Sequence, residues 1–270
     1  MLYSLRRQLN IYAAFAAMQP KLQLAYSAWA WTEFIAQIIA MTIFVFFWRA
    51  VYANTDSLSG LSLQQTLNYI LLAQIIAPLI QARVVFQFGF LIQNGQIGVE
   101  LTRPVDFQLR NLVEALAGLV VYAIQKIPLF TIAVIFYGLQ LPTDPITWLA
   151  FTLTIVLGST VTFYFDWMFG CLAFYTTETW GLSVVRNGIA TFFSGYLIPI
   201  AMMPTWLQQL ASAMPFAQGV YVPVSLLSRI VSVDDLPQIL LTQIAWLVGM
   251  MILSRIVFNI AIRKVTVQGG

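Results

Sequence analysis

Residues 24–48 read LAYSAWAWTEFIAQIIAMTIFVFFW. The only charge in this stretch is Glu33, and no glycine or proline interrupts it. About 20 consecutive apolar residues in a helix cross the hydrocarbon core of a bilayer, so this stretch is long enough to span. Trp29 and Trp31 stand near one end and Trp48 near the other, where the two headgroup layers favour amphipathic rings.

Five further stretches pass the same test, at roughly 67–86, within 112–139, within 146–169, at 184–199 (the shortest) and at 239–258. The whole chain is 60% hydrophobic and 9% charged, where a soluble domain carries about 25% charge. A soluble fold cannot hide that much apolar surface. The expectation is an all-α integral membrane protein. It is a single domain over residues 1–270 with six transmembrane helices between 24 and 259. An even number of spans puts both termini on one side.

Lysine and arginine placement orients the bundle. One side receives Arg6, Arg7, Lys21, Arg83, Arg103, Arg110, Arg186, Arg263 and Lys264. The other receives Arg49 and Arg229, against Asp56, Asp144, Asp234 and Asp235. The first side is expected to be cytoplasmic. The start of the chain lacks the continuous apolar core of a cleaved signal peptide.

Three stretches outside the spans stand out. Residues 1–20 place Leu2, Leu5, Leu9 and Tyr12 at helical spacing, with Arg6, Arg7 and Asn10 elsewhere on the wheel. That pattern predicts an amphipathic helix on the cytoplasmic membrane surface, which Pro20 ends or turns toward the first span. Residues 87–110 form a long cytoplasmic connection with a turn at Asn94-Gly95 and a helix boundary at Arg103-Pro104. Residues 199–223 lie on the outer side, where Pro199, Pro204, Pro215 and Pro223 cut an apolar run into pieces too short to span. One piece, TWLQQLASAM, puts Trp206, Leu207, Leu210 and Met214 on one helical face. Broken apolar backbone at membrane depth survives only where protein or a water-filled cavity surrounds it. This segment is therefore expected to re-enter the outer leaflet as short helices between spans five and six.

The chain carries little catalytic chemistry. Histidine is absent, Cys171 is the single cysteine, and no G-x-x-x-x-G-K-[ST] run is present to cradle a nucleotide. The ten acids are dispersed, which speaks against a metal-dependent lipid enzyme. The adjacent pair Asp234-Asp235 precedes the sixth span and reads as a helix N-cap. Net charge is +3, with no basic stripe for nucleic acid. Glu33, Lys126 and Asp166 fall within spans, where charge is costly and faces protein or water. They either line a path or fix helix packing through ion pairs. Lys126 is followed by Pro128, a candidate kink, and Arg255 near the inner end of the sixth span is placed to snorkel.

Two longer stretches, together with the tail RKVTVQGG, resemble one family. They are NGQIGVELTRPVDFQLRNLVE after the second span and AFYTTETWGLSVVRNGIATFFSGYLIPIAMMPTWLQQLASAMPFAQGVYVPVSLL. The pattern is similar to the permeases of type-2 ATP-binding-cassette (ABC) exporters, in the bacterial family described as ABC-2 family transporter proteins. It departs at Tyr175, where the family often has tryptophan, and at Met203, where phenylalanine is common. The resemblance implies a multi-pass permease of the cell inner membrane. It implies a dimer with an identical or related permease, bound to two copies of a cytoplasmic ATPase that hold the ATP and magnesium, while this chain binds no cofactor. It further implies that the surface helix and Gly95, Gly98, Glu100, Leu101, Arg103 and Pro104 meet that ATPase. Pro199, Pro204, Trp206 and Pro215 would belong to helices closing the outer gate. From the residues alone, a self-powered secondary transporter using Lys126 with Glu33 or Asp166 stays open as an alternative, as does a scaffold subunit.

Overall fold

The computed structural model describes residues 2–25, 27–80, 84–176 and 179–264, without the side chains of 2–9 and 22–30. The expectations resting on Arg83, on the side chains of Leu2, Leu5, Arg6, Arg7, Leu9 and Trp29, and on the tail beyond Lys264 lie outside the described residues. Among the described residues the fold is all-α apart from a two-residue-by-two-residue hairpin.

Helix α1 (Leu2–Ala25) is followed by α2 (Ser27–Val51), then the hairpin strands β1 (Ser57–Leu58) and β2 (Leu61–Ser62). Next come α3 (Leu63–Ile80), α4 (Val84–Gln93), the short α5 (Ile97–Thr102), α6 (Phe107–Gln125) and α7 (Ile127–Tyr137). The chain then forms α8 (Pro145–Gly170), α9 (Thr179–Phe193), the short α10 (Thr205–Ser212), α11 (Pro215–Gly219) and α12 (Tyr221–Leu227), and finally α13 (Leu236–Ala261). Among the described residues, five helical stretches are long and apolar enough to cross a membrane, or six if the bent pair 205–212 and 215–227 counts as one span.

The structure redraws several sequence expectations. Helix α1 runs past Pro20 to Ala25, so the proline does not end it. Its side chains Ile11, Tyr12, Phe15 and Ala16 are half-buried at i, i+4 spacing, and the helix packs on α6. The third span breaks at Lys126, with Pro128 at the start of α7, because proline lacks the N–H that a continuous helix needs. The expected fifth span is replaced by α9, which has 15 residues and rises only ~22 Å at 1.5 Å per residue. After it, Gly195 adopts φ +79 and the Tyr69 hydroxyl donates to its carbonyl at 2.7 Å. A left-handed residue whose backbone is claimed by α3 cannot continue a right-handed helix. Trp48 is buried against its neighbours in the bundle.

Two large clusters make up most of the core, with a small third around Ile200, Ala211 and Ala217. At the hairpin end, Met41 and Val45 of α2 and Tyr69–Ile76 of α3 pack with α7 and α12. At the opposite end, Phe88 meets Trp167 edge-on at 4.7 Å and stacks on Phe107 at 5.8 Å, joining α4, α8 and α6. Phe258 of α13 closes this aromatic knot against Trp167 at 5.2 Å.

Part of the apolar segment between α9 and α13 lies inside the bundle. Helices α11 and α12 are almost wholly buried against α8 and α3. The backbone of Gln218 and Gly219 sits on Gly158 and Thr162 of α8, ~20–25 Å along that helix from its hairpin end by rise per residue. Gln243 of α13 donates to the carbonyls of both Thr154 and Gln218 at 3.1 Å. Those bonds satisfy backbone that has no water to turn to.

At the hairpin end Asp144 caps α8. It accepts from the Thr147 N–H and hydroxyl and pairs with Arg229 at 2.8 Å. The Thr147 bonds, followed by Arg229, hold its carboxyl down at about 2. The folded value lies below the ordinary carboxylate value of about 4. The cap therefore stabilises fully above that pH and fades as pH falls toward 2. Asp144→Asn is expected to lower thermal stability at pH 6, with the difference from the parent shrinking at pH 2–3. A pH-independent difference would mean that the carboxylate charge plays no part.

Candidate functional site

The long connection of residues 87–110 is largely helical. It contains the end of α4, all of α5 and the start of α6. The turn at Asn94-Gly95 is present, with Gly95 at φ +66, a conformation that glycine adopts without strain. Gly98 is different, because a side chain there would meet nothing within 4 Å. Helix α5 ends at Thr102, with Arg103 as its C-cap and Pro104 exposed beyond it.

Glu100 organises this end. Its carboxylate forms ion pairs with Arg103 at 2.9 Å and with Arg110 at 2.6 Å. Arg103 is exposed, whereas Arg110 lies inside α6 and is buried. Sequence reasoning had both arginines in a loop. Arg110 also lies 3.6 Å from Glu114. Its guanidinium sits 5.2 Å from the ring centroids of both Phe15 and Phe107, a cation–π arrangement worth about 0.5–2 kcal/mol per ring. One acid thus links exposed α5 to buried α6, and the arginine it holds touches α1. Leu101 packs against the aromatic knot. Val99, which the sequence reading did not single out, is exposed on α5 beside Arg103 and Pro104. Its signal was the apolar residue left outside the Ile97/Leu101 face of a helix only six residues long.

Asp106 caps α6 through the Leu109 N–H at 2.8 Å and binds Arg255 of α13 at 2.5 Å. Partial burial raises its carboxyl, but Arg255 and the cap outweigh that, and the net direction is downward. Arg255 also donates to Gln108 at 3.3 Å. It is a clasp between helices rather than a free snorkelling side chain.

The intramembrane charges separate into two pairs. Lys126, at the break between α6 and α7, donates to Glu33 at 3.0 Å and Gln37 at 2.8 Å on α2. Asp166 is bound by Arg186 of α9 at 2.6 Å, and both side chains are buried, at 0% and 4% exposure. Arg186 therefore belongs to the bundle interior and not to a loop. Asp166 is not brought to Lys126 or Glu33. Glu33 does line a cavity of about 620 Å³ bounded by α1, α2, α3, α4, α6 and α8, together with Glu114, Gln87 and Asn111. Lys126 and Asp166 are not on its wall.

On the opposite side, Pro199 is buried at the start of a short 3-10 turn, Pro204 precedes α10, and Pro215 opens α11 inside the core. Trp206 on α10 is exposed. Among the described residues, no group of three or more His, Cys, Asp or Glu side chains converges as for a metal ion.

The family model described as ABC-2 family transporter protein matches residues 38–269. No curated protein matches the chain.

Proposed function

The chain belongs to the ABC-2 family of transporter membrane proteins, and from that membership we propose that it is the permease of an exporter in the cell inner membrane. The permease works as a dimer with an identical or related chain, with both termini cytoplasmic. A partner ATPase, present in two copies, binds and hydrolyses ATP with magnesium, and this chain supplies the path. Orientation rests on the uneven distribution of arginine and lysine along the sequence.

One observation carries the coupling role. Glu100 holds an exposed arginine on α5 and a buried one in α6, and the buried one is stacked on α1. A partner that grips α5 through Val99, Arg103 and Pro104 therefore moves α6, and with it the wall of the 620 Å³ cavity. Two packed arrangements of such an element are what a nucleotide-driven switch needs. Gly95 gives the turn its shape, while Gly98 and Leu101 set the faces of α5 toward the partner and the bundle. At the other end, α10 with Trp206, flanked by Pro199, Pro204 and Pro215, forms the outer gate. The pairing of Lys126 with Glu33, and of Asp166 with Arg186, favours a packing role over ion coupling.

Arg103→Glu sets like charge against Glu100 at an exposed position, where folding is little affected. We expect the variant to co-purify with the ATPase and to hydrolyse ATP, with transport per ATP falling tenfold or more. Normal transport per ATP would remove α5 from the coupling route. Failure of any ATPase to associate with the parent chain would remove the exporter reading itself.

A further inference from the structure

The 620 Å³ cavity has a chemical character beyond its position. Its volume falls in the range of small-molecule sites. Glu33 of α2 and Glu114 of α6 both line it. The amides of Gln87 and Asn111 join them, and Tyr122 and Phe163 add two aromatic rings. Among the described residues no lysine or arginine lines it. Each carboxylate is also paired with a cation, Glu33 with Lys126 and Glu114 with the Arg110 that it shares with Glu100. Carboxylates and aromatic faces together recognise an organic cation.

A second, independent feature lies alongside. A groove of about 750 Å³ runs between α3, α6, α7 and α8, and nearly all of its lining is aliphatic or aromatic. Leu79 of α3 and Leu119 of α6 belong to both walls. The first chamber carries two carboxylates and two amides among apolar side chains, the adjoining one is apolar, and the same two leucines border both.

We propose that these joined chambers bind amphipathic cations. The charged head lies between Glu33 and Glu114, and the tail passes Leu79 and Leu119 into the apolar groove. This names the substrate class of the exporter and rests on that reading for the word substrate. The binding site stands without it. A ligand with an anionic head meets two carboxylates and is excluded. A small cation without a tail leaves the groove unused.

The test uses the full chain in nanodiscs of zwitterionic lipid, with empty nanodiscs as the blank for membrane partitioning. Radiolabelled decyltrimethylammonium is expected to bind saturably. Unlabelled decyltrimethylammonium should displace it, and decyl sulfate, decanol and tetramethylammonium should each displace it at least tenfold less well. Glu114→Gln is expected to weaken binding tenfold or more. Tyr122→Leu, which leaves every ion pair intact, should weaken it several-fold. Equal competition by decyl sulfate or decanol would show that the groove merely takes any acyl chain, and would overturn the proposal. So would parent-like binding by both variants. If a co-purified ATPase drives transport of another cargo and no cation binds, the exporter reading stands and this one falls. If the cation binds and no ATPase associates, the reverse holds.

Discussion

Gly158→Ala is expected to be among the most damaging single substitutions in this chain, although it adds one methyl group. A Cβ at position 158 would fall well inside contact distance of the Gln218 carbonyl oxygen and 2.8 Å from its carbon. Both obstacles are backbone, so no side chain can rotate away. Either α11 moves off α8, or the Gln243 bonds to Thr154 and Gln218 are given up. Overpacking costs about 1–3 kcal/mol, and a buried carbonyl left without a donor adds about 1–3 kcal/mol. A loss near 4 kcal/mol, read as the thermal unfolding midpoint in detergent, would leave little folded protein. Gly249→Ala on α13 is the control, because a side chain there meets nothing within 4 Å. It removes the same flexible residue from a helix interior and is expected to be neutral or slightly stabilising. Equal behaviour of the two variants would show that the α8–α11 approach is not tight in solution.

Breaking the Asp166–Arg186 pair is the second large effect expected. The two groups meet at 2.6 Å with almost no exposure. Removing one partner of a buried pair costs about 3–5 kcal/mol, because the survivor is left as an uncompensated charge. Asp166→Asn and Arg186→Met should each lose stability of that order. Asp166→Leu combined with Arg186→Met removes both charges, and is expected to recover most of the loss. The pair joins α8 to α9, the helix too short to cross alone, and so fixes the height of α9 against the bundle. Single variants that unfold at the parent's midpoint would mean that water reaches the pair and screens it.

Much of this architecture was legible in residue order. Apolar length located α2, α3, α8 and α13, since a long uninterrupted run admits few other structures in lipid. Asn94-Gly95 and Pro104 marked the ends around α5, and Pro204 and Pro215 marked the starts of α10 and α11. Each is a local steric signal acting within a few residues. Recognition of the family rested on two of these same stretches. What stayed hidden depends on contacts between distant segments. Nothing near Arg186 announces Asp166, which is twenty residues away and on another helix. Arg110 reads as a loop arginine because it stands six residues after Pro104, at the end of the long connection. Burial came from Glu100, Phe15 and Phe107 closing around it. The brevity of α9 follows from the hold of Tyr69 on Gly195, a bond spanning 126 positions. The 620 Å³ cavity draws its polar wall from several helices, so no single stretch carries its pattern.

The wedge formed by α11 and α12 also sets an order of events during synthesis. Its seat on α8 is made well before it, but the donor that satisfies the Thr154 and Gln218 carbonyls is Gln243 on α13, which leaves the ribosome afterwards. Until α13 has entered the bilayer, the buried Gln218 carbonyl lacks the Gln243 amide donor. The final helix is thus the closing step of assembly. A chain stalled before residue 243 would expose the features by which membrane quality control marks a protein for degradation.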